Sequence, residues 1–248
     1  MKARSGISAA GLKWIAIFAM IIDHVAWKLS APTPVIFTMH LVGRFTMPIM
    51  CFFIAEGFRH TRSRGRYALR LLVFALVSQI PYNYCFFGDP FHFEMGPEYF
   101  NVLFCLLLGL CALWAVKSEL KPGARIALAA LCLLASALCD WPMFGVLFVL
   151  AFGLNSGSFK RQALWFSLAA AVFIIALNVY NFLMGEEMRF YAIGLFLPLL
   201  PLALYNGKKS GAPARAWKTA ASKWLFYVIY PLHLAALGFL HYGLGWLK

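Results

Sequence analysis

Residues 12–29 read LKWIAIFAMIIDHVAWKL, and the rest of the chain is read from that stretch. It is apolar over nearly the length that a helix needs to cross a bilayer, about 20 residues. Well inside the apolar run it carries an acid and an imidazole, Asp23 and His24. Apolar segments of similar kind recur at 35–58, 67–87, 99–116, 125–139, 142–154, 162–184, 190–204 and 219–247. Lipid offers no partner to unpaired backbone groups, so such segments cross as helices. The alternating ten-residue segments of a membrane barrel are absent. The expectation is an all-α, polytopic integral membrane bundle of about nine transmembrane helices, forming one domain over 1–248. The fifth, sixth and eighth segments are short, and must tilt little, be buried by neighbours or thin the bilayer.

Composition points the same way. Of 248 residues, 62% are apolar and 12% charged, with mean hydropathy +0.76. Soluble domains are about 45–50% apolar and about 25% charged. A soluble enzyme, a secreted disulfide scaffold and a nucleic-acid binder are excluded on that ground. The formal charge of +13 sorts by helix end. One set of ends carries Lys2, Arg4, Lys13, Arg59, Arg62, Arg64, Arg66, Arg70, Lys117, Lys121, Arg125, Lys160, Arg161, Lys208, Lys209, Arg215, Lys218 and Lys223. The other carries Asp89, Glu94, Glu98, Asp140, Glu186 and Glu187, with Lys28, Arg189 and Lys248 as its positives. Positive-inside counting puts the N-terminus in the cytoplasm and the C-terminus outside. The partner implied is the lipid bilayer of a bacterial cytoplasmic (inner) membrane, and not nucleic acid. Asp23-His24 interrupts the first apolar run, so it is not read as a cleavable signal. The six cysteines have no metal-ligand spacing and no metal is expected; Cys85 and Cys139, both near outer helix ends, leave a bridge open.

Ionisable groups inside spans are costly and by default mark a functional site. At 1.5 Å per residue Asp23 lies on the order of 16 Å beyond Leu12. His40 and Arg44 are four apart and share a helix face, at a depth comparable with Asp23 and His24. His233 lies near the middle of the last segment, three residues after Tyr230. An Asp23–Arg44 pair alone is explained as a lock between helices. Three histidines converging on an acid and a base are better explained as acid–base chemistry on an amine or hydroxyl. Gln79 and Asn83, also four apart, are candidate substrate contacts beside Pro81. The run Arg59-His60-Thr61-Arg62-Ser63-Arg64-Gly65-Arg66, continued by Arg70, is denser in arginine than topology needs. Arginine suits bidentate phosphate recognition, so the run is a candidate clamp for a nucleotide-like donor, with anionic lipid as the plainer alternative. Glu56 reads as an interfacial ion-pair partner, and His60 and His92 as loop residues.

Four segments, in order along the chain, carry a family resemblance: Ile22-Asp23-His24; Val42-Gly43-Arg44-Phe45-Thr46-Met47-Pro48 with Ala55-Glu56-Gly57-Phe58; Tyr67-Ala68-Leu69-Arg70-Leu71-Leu72 running into Ser78-Gln79-Ile80-Pro81-Tyr82; and Phe226-Tyr227-Val228-Ile229-Tyr230-Pro231-Leu232-His233-Leu234. Weaker matches are Phe100-Asn101-Val102-Leu103-Phe104 and Cys139-Asp140-Trp141. On these the sequence resembles the TraX family, named for a conjugation protein that N-acetylates pilin and similar to multi-span acyltransferases. The resemblance implies acetyl-CoA as donor co-substrate and a site at Asp23, His24, Arg44 and His233, with Asn101.

The resulting expectation is an acyl-CoA-dependent N- or O-acetyltransferase of the membrane. Arg59, Arg62, Arg64, Arg66 and Arg70 would hold the donor phosphates. His24, oriented by Asp23, would be the general base, Arg44 the oxyanion partner and His233 a second acid or base. His40, Gln79, Asn83, Asn101 and Tyr230 would meet the acceptor, a membrane-associated or exported protein, peptide or glycan such as a pilin N-terminus. Direct transfer and an acyl-histidine intermediate both stay open. The alternative is a proton-coupled transporter using the same buried Asp/Arg/His cluster, against which stands the lack of an inverted repeat.

Overall fold

The apolar segments fold as helices, and no named β-strand occurs among the described residues. The computed structural model describes residues 6–92, 96, 98–207 and 216–246, with backbone alone for 216–223. Lys2, Arg4, Glu94, Lys208, Lys209, Arg215 and Lys248, and the side chains of Lys218 and Lys223, lie outside the described residues. The helices are α1 (Ala9–Ala26), α2 (Thr33–Gly43), α3 (Thr46–His60), α4 (Arg64–Phe87), α5 (Val102–Val116), α6 (Pro122–Ala135), α7 (Phe144–Leu154), α8 (Phe159–Met184), α9 (Leu199–Ala203) and α10 (Ala216–Gly238). A 3₁₀ turn, Ser136–Leu138, extends α6, another, Phe190–Phe196, precedes α9, and a π turn, Phe239–Gly243, ends α10.

Contacts between remote loops show that these helices run back and forth between two ends. At one end the backbone of Ile7 bonds Leu204 (2.9 Å) and Asn206 (3.0 Å), and Arg59 donates to the Ser156 carbonyl (3.1 Å). At the other, Phe100 bonds the backbone of Leu138 (2.9 Å) and Asp140 (2.7 Å). There too Arg189 lies over Trp27 and Lys28 meets the Tyr242 hydroxyl.

Among the described residues four stretches are long and apolar enough to cross a membrane: Ala9–Ala26, Thr33–His60, Phe159–Met184 and Trp224–Gly243. Val102–Val116, Pro122–Leu138, Phe144–Leu154 and Phe190–Ala203 are apolar but shorter. Among them α7 is hydrophobic all round and is buried by its neighbours, as that pattern demands; Val146, Phe148, Val149 and Phe152 have no exposed surface. Outward faces are apolar as well: Ile126 is 70% exposed and Leu183 72%. Extensive exposed apolar surface of this kind marks a membrane-facing protein. Cys85 and Cys139 are free thiols.

Two apolar segments depart from the sequence reading, and the first is 190–204, which folds as the 3₁₀ turn and the five-residue α9 in place of one spanning helix. Residues 35–58, read as one span, contain a break at Arg44-Phe45 between α2 and α3. Pro48 accounts for it: proline has no N–H to give the carbonyl four residues back, and its ring crowds that carbonyl. The carbonyl in question belongs to Arg44. Pro81 and Pro231 carry the same liability, yet α4 and α10 continue through them. Gly43 closes α2 where the helix touches α1 so tightly that a methyl group would overlap Asp23. Gly194 in the 3₁₀ turn likewise presses on the Leu41 carbonyl and the Cβ of Arg44.

Overpacking of a tight contact costs about 1–3 kcal/mol. Gly43→Ala is therefore expected to lower the thermal midpoint in detergent. Gly65→Ala, in the first turn of α4 with open space around it, is expected to leave the midpoint unchanged or slightly raised.

Candidate functional site

Asp23 and His24 are consecutive on α1, so their side chains leave the helix about 100° apart. They reach different partners. Asp23 faces α2 and the break: its Oδ1 accepts from Arg44 Nη2 (2.7 Å) and from His40 Nδ1 (2.9 Å), and its Oδ2 accepts from Arg44 Nη2 (2.8 Å). Arg44 Nε donates to the His40 carbonyl at 3.3 Å. The Asp23 and Arg44 side chains are only 14% and 11% exposed, so this is a buried ion pair. Aromatic rings close around it. Trp141 and Tyr191 lie 5.1 and 5.4 Å from the guanidinium, and the His40 ring packs between Trp27 and Tyr191.

Trp141 is brought there by a strained connection. Trp141 and Met143 have φ of 63° and 60°, values that non-glycine residues rarely adopt and that concentrate at functional sites. The same connection carries Asp140. Burial, with Glu98 adding, pushes its carboxyl up to about 8.

His24 faces α10. Its Nδ1 lies 2.6 Å from His233 Nε2, with the two rings 9° from coplanar, and His233 Nδ1 lies 2.8 Å from the Ile229 carbonyl. A carbonyl only accepts, so His233 carries its proton on Nδ1 and its Nε2 is an acceptor. His24 must then donate from Nδ1, which leaves a lone pair on its Nε2. That nitrogen has no hydrogen-bond partner among the described residues. Asp23, expected to orient His24, makes no hydrogen bond to it; His233 holds the ring instead.

His24 and Asp23 line a cavity of about 530 Å³, within the usual range for ligand pockets. The cavity follows α1 from Ala9 to His24, about 22 Å at 1.5 Å per residue. Its deep end is walled by Asp23, His24, Gly43, Thr46, Asp140, Trp141 and Tyr230, and its mouth by Lys13, Glu56, His60, Arg62, Tyr67, Arg70, Tyr205 and Tyr227. Arg70 is held beside Tyr227 (Nε to hydroxyl 3.5 Å) among the rings of Tyr67, Trp224 and Tyr227.

The sequence candidates thus divide. Of the five arginines expected to share one clamp, Arg62 and Arg70 line the cavity. Arg59 bonds Ser156 and Glu56 and Arg64 stacks on Phe58; neither these two nor Arg66 lines it. Tyr230 lines the deep end, while Arg44, His40 and His233 stand behind the wall, each bonded to a wall residue. Gln79, Asn83 and Asn101 form a separate cluster. The Gln79 amide donates to Asn83 (2.7 Å) and the Tyr99 carbonyl (2.8 Å), and its oxygen accepts from Asn101 (2.7 Å). Asn83 donates to His92 (3.2 Å), and Asn101 caps α5 by accepting from Leu103 N–H (3.1 Å). Their bonding capacity is used in pinning the loop before α5, and none of the three lines the cavity. Glu56 pairs with Arg59 and His60 as expected of it. Lys13, His60, Tyr67, Tyr227, Asp140 and Trp141 were not singled out as site residues. Lys13 and Asp140 were visible as charges but were absorbed into the topology count.

Two outcomes follow. Removing one partner of a buried ion pair costs about 3–5 kcal/mol, because the other charge is left alone. Asp23→Asn is expected to destabilise by that order, and the double variant Asp23→Asn/Arg44→Met to recover most of it, in a melt-based double-mutant cycle. For Asp140 the folded carboxyl titrates above its unfolded value of about 3.9. Its burial is therefore without cost at low pH and increasingly destabilising as pH rises toward 8. Asp140→Asn is expected to gain stability over the parent through that window, read as midpoint against pH.

No solved structure matches the chain. A relative from Dichelobacter nodosus, named "Probable fimbrial assembly protein FimC, serogroup H1", is 32% identical over 247 residues, covering 93% of this chain and 94% of that protein. The TraX protein family profile matches residues 8–241. The chain belongs to the TraX family.

Proposed function

We propose that this protein is a multi-pass acyltransferase of the bacterial inner membrane, moving an acetyl group from cytoplasmic acetyl-CoA to an amine or hydroxyl of a membrane-associated or exported acceptor. One observation carries the reading: a single cavity has Arg62 and Arg70 at its mouth and His24 at its deep end. Phosphates are best held by arginine, and a thioester reached by a long flexible arm needs a channel rather than a surface dish. Along α1 the separation from Lys13 to His24 is about 16 Å. In this reading the helices form one domain of nine passes, with the N-terminus cytoplasmic and the C-terminus outside, so that the basic mouth opens to the cytoplasm.

Arg62 and Arg70 bind the donor phosphates, and Tyr67 and Tyr227 flank them. The lone pair on His24 Nε2 takes the proton of the incoming acceptor and so acts as general base. Arg44, already committed to Asp23 and outside the cavity wall, holds the deep end in shape, while Tyr230 and the neutral Asp140 carboxyl supply polar contacts in the wall. The family's tie to pilin and the relative's name favour a pilin N-terminus within the acceptor class of protein, peptide or glycan.

The test is a melt of the detergent-purified protein with acetyl-CoA, alongside thiol release. A ligand at about 100 times its Kd adds about 2.7 kcal/mol, so the midpoint should rise. His24→Ala should keep that rise and lose thiol release. Hydrogen bonds to a charged group are worth about 1.5–3 kcal/mol, so Arg62→Gln or Arg70→Gln should raise KM for the donor about 10- to 100-fold, and Arg66→Gln should not change it. No response to acetyl-CoA or longer acyl-CoAs would overturn the reading and move it to the proton-coupled transporter.

A further inference from the structure

The mechanism above uses one nitrogen of His24 and leaves its other nitrogen, and His233, without a role. The surroundings of this pair are well defined. Phe86 of α4 meets the His24 ring edge-on at 5.5 Å, and Tyr230 lies 5.7 Å from the His233 ring. On the α2 side, Asp23 is committed to Arg44 and His40. Lys28 sits beyond Phe86, over its outer face. Among the described residues no carboxylate hydrogen-bonds either ring. The imidazole next to the cavity is therefore not arranged as the usual acid-oriented histidine; among the described residues its hydrogen-bond partner is another imidazole.

We infer that His24 and His233 work as one proton-carrying pair, in which His233 both fixes the tautomer that bares His24 Nε2 to the cavity and takes up the Nδ1 proton when Nε2 is loaded. This rests on the acyl-transfer reading of the cavity. The chain of bonds fixes every proton. Ile229 C=O accepts from His233 Nδ1–H, His233 Nε2 accepts from His24 Nδ1–H, and His24 Nε2 is left to accept from the substrate.

When the acceptor nitrogen or oxygen forms its bond to the thioester carbon, its proton passes to His24 Nε2 and the Nδ1 proton moves to His233 Nε2. The positive charge then rests on His233, whose Nδ1–H already points at the Ile229 carbonyl. His24 is neutral again, with its proton on the side facing the departing group. As the carbon–sulfur bond breaks, its electron pair stays on sulfur. The sulfur takes the Nε2 proton, and the proton on His233 returns to His24 Nδ1. Protons and charges are restored after each turnover, and His233 never touches substrate; it is a positioning residue that also stores a proton.

His233→Gln separates the two roles, because the glutamine oxygen can accept from His24 Nδ1–H but cannot take up its proton. The probe is thiol release from acetyl-CoA with water as the acceptor. The expected result is a kcat about 10- to 100-fold below wild type with KM for acetyl-CoA unchanged, since acid–base partners contribute about 10²–10⁴-fold and orientation is retained. His233→Leu, lacking even the acceptor, should fall further. In wild type, ¹⁵N spectra of histidine-labelled protein should show both rings protonated on Nδ1 and bare on Nε2. His233→Gln turning over at the wild-type rate would overturn the proton uptake, and a His24 protonated on Nε2 would overturn the tautomer assignment. Should neither variant fold, the wild-type spectra still decide the tautomer. A wild type that binds acetyl-CoA or any acyl-CoA without thiol release would overturn proton storage in acyl transfer, whereas no binding at all would sink the acyl-transfer reading itself, with the spectra still deciding the pair.

Discussion

A carboxylate and a guanidinium taken out of water must find each other, and the architecture around Asp23 and Arg44 follows from that requirement. Each would be expensive to bury alone. α1 and α2 can bring them into contact because residue 43 is glycine, and Arg44 sits at the helix break because Pro48 denies its carbonyl a partner. The flat faces of Trp141 and Tyr191 then cover the guanidinium, which is less strongly hydrated than an ammonium and stacks well on aromatic rings. Even the unusual backbone at Trp141 and Met143 serves this closure. One ion pair thereby fixes the mutual placement of α1, the α2–α3 break, the 3₁₀ turn before α9 and the connection into α7.

That placement has a functional corollary. The ion pair and its aromatic cover back one side of the deep end of the cavity, and the hydrogen-bonded pair of His24 and His233 backs another. The acid that would commonly orient a catalytic histidine is thus occupied with structure, and orientation passes to His233. The mouth is built by different means: a helix start rich in arginine, where Arg62 and Arg70 face inward and Arg64 packs on Phe58. The cavity is thus rigidly packed at one end and lined by long cationic side chains at the other.

Much of this was legible in the sequence, for physical reasons. Apolar runs must be helices in lipid, so the element order followed directly. Charges inside such runs need partners, so Asp23, Arg44, His40, His24 and His233 stood out before any coordinates. The i,i+4 spacing of His40 and Arg44 correctly placed both on one face, and both reach Asp23. What stayed hidden depends on direction or on distant neighbours. Gln79, Asn83 and Asn101 looked like substrate contacts because intramembrane amides attract attention; only the fold shows that they bond one another and nearby backbone. Which arginines turn inward is a matter of rotamers and stacking partners. The strain at Trp141 has no sequence signature beyond a neighbouring proline. Pro48 sits just after a helix break while α4 and α10 continue through Pro81 and Pro231, and the chain offers no local rule separating them.

The dipeptide Asp23-His24 ties α1 to two partners of very different sequence distance. Asp23 finds Arg44 only 21 residues later, but His24 finds His233 only 209 residues later. While the chain is being synthesised, the ion pair can form among the earliest helices to enter the membrane, whereas the imidazole pair must wait for nearly the last. A nascent or truncated chain therefore has a stabilised scaffold while the His24 ring is still without its partner. The pairing that bares one nitrogen of His24 is complete only once α10 is in place, so an incomplete product has the scaffold and not the oriented imidazole.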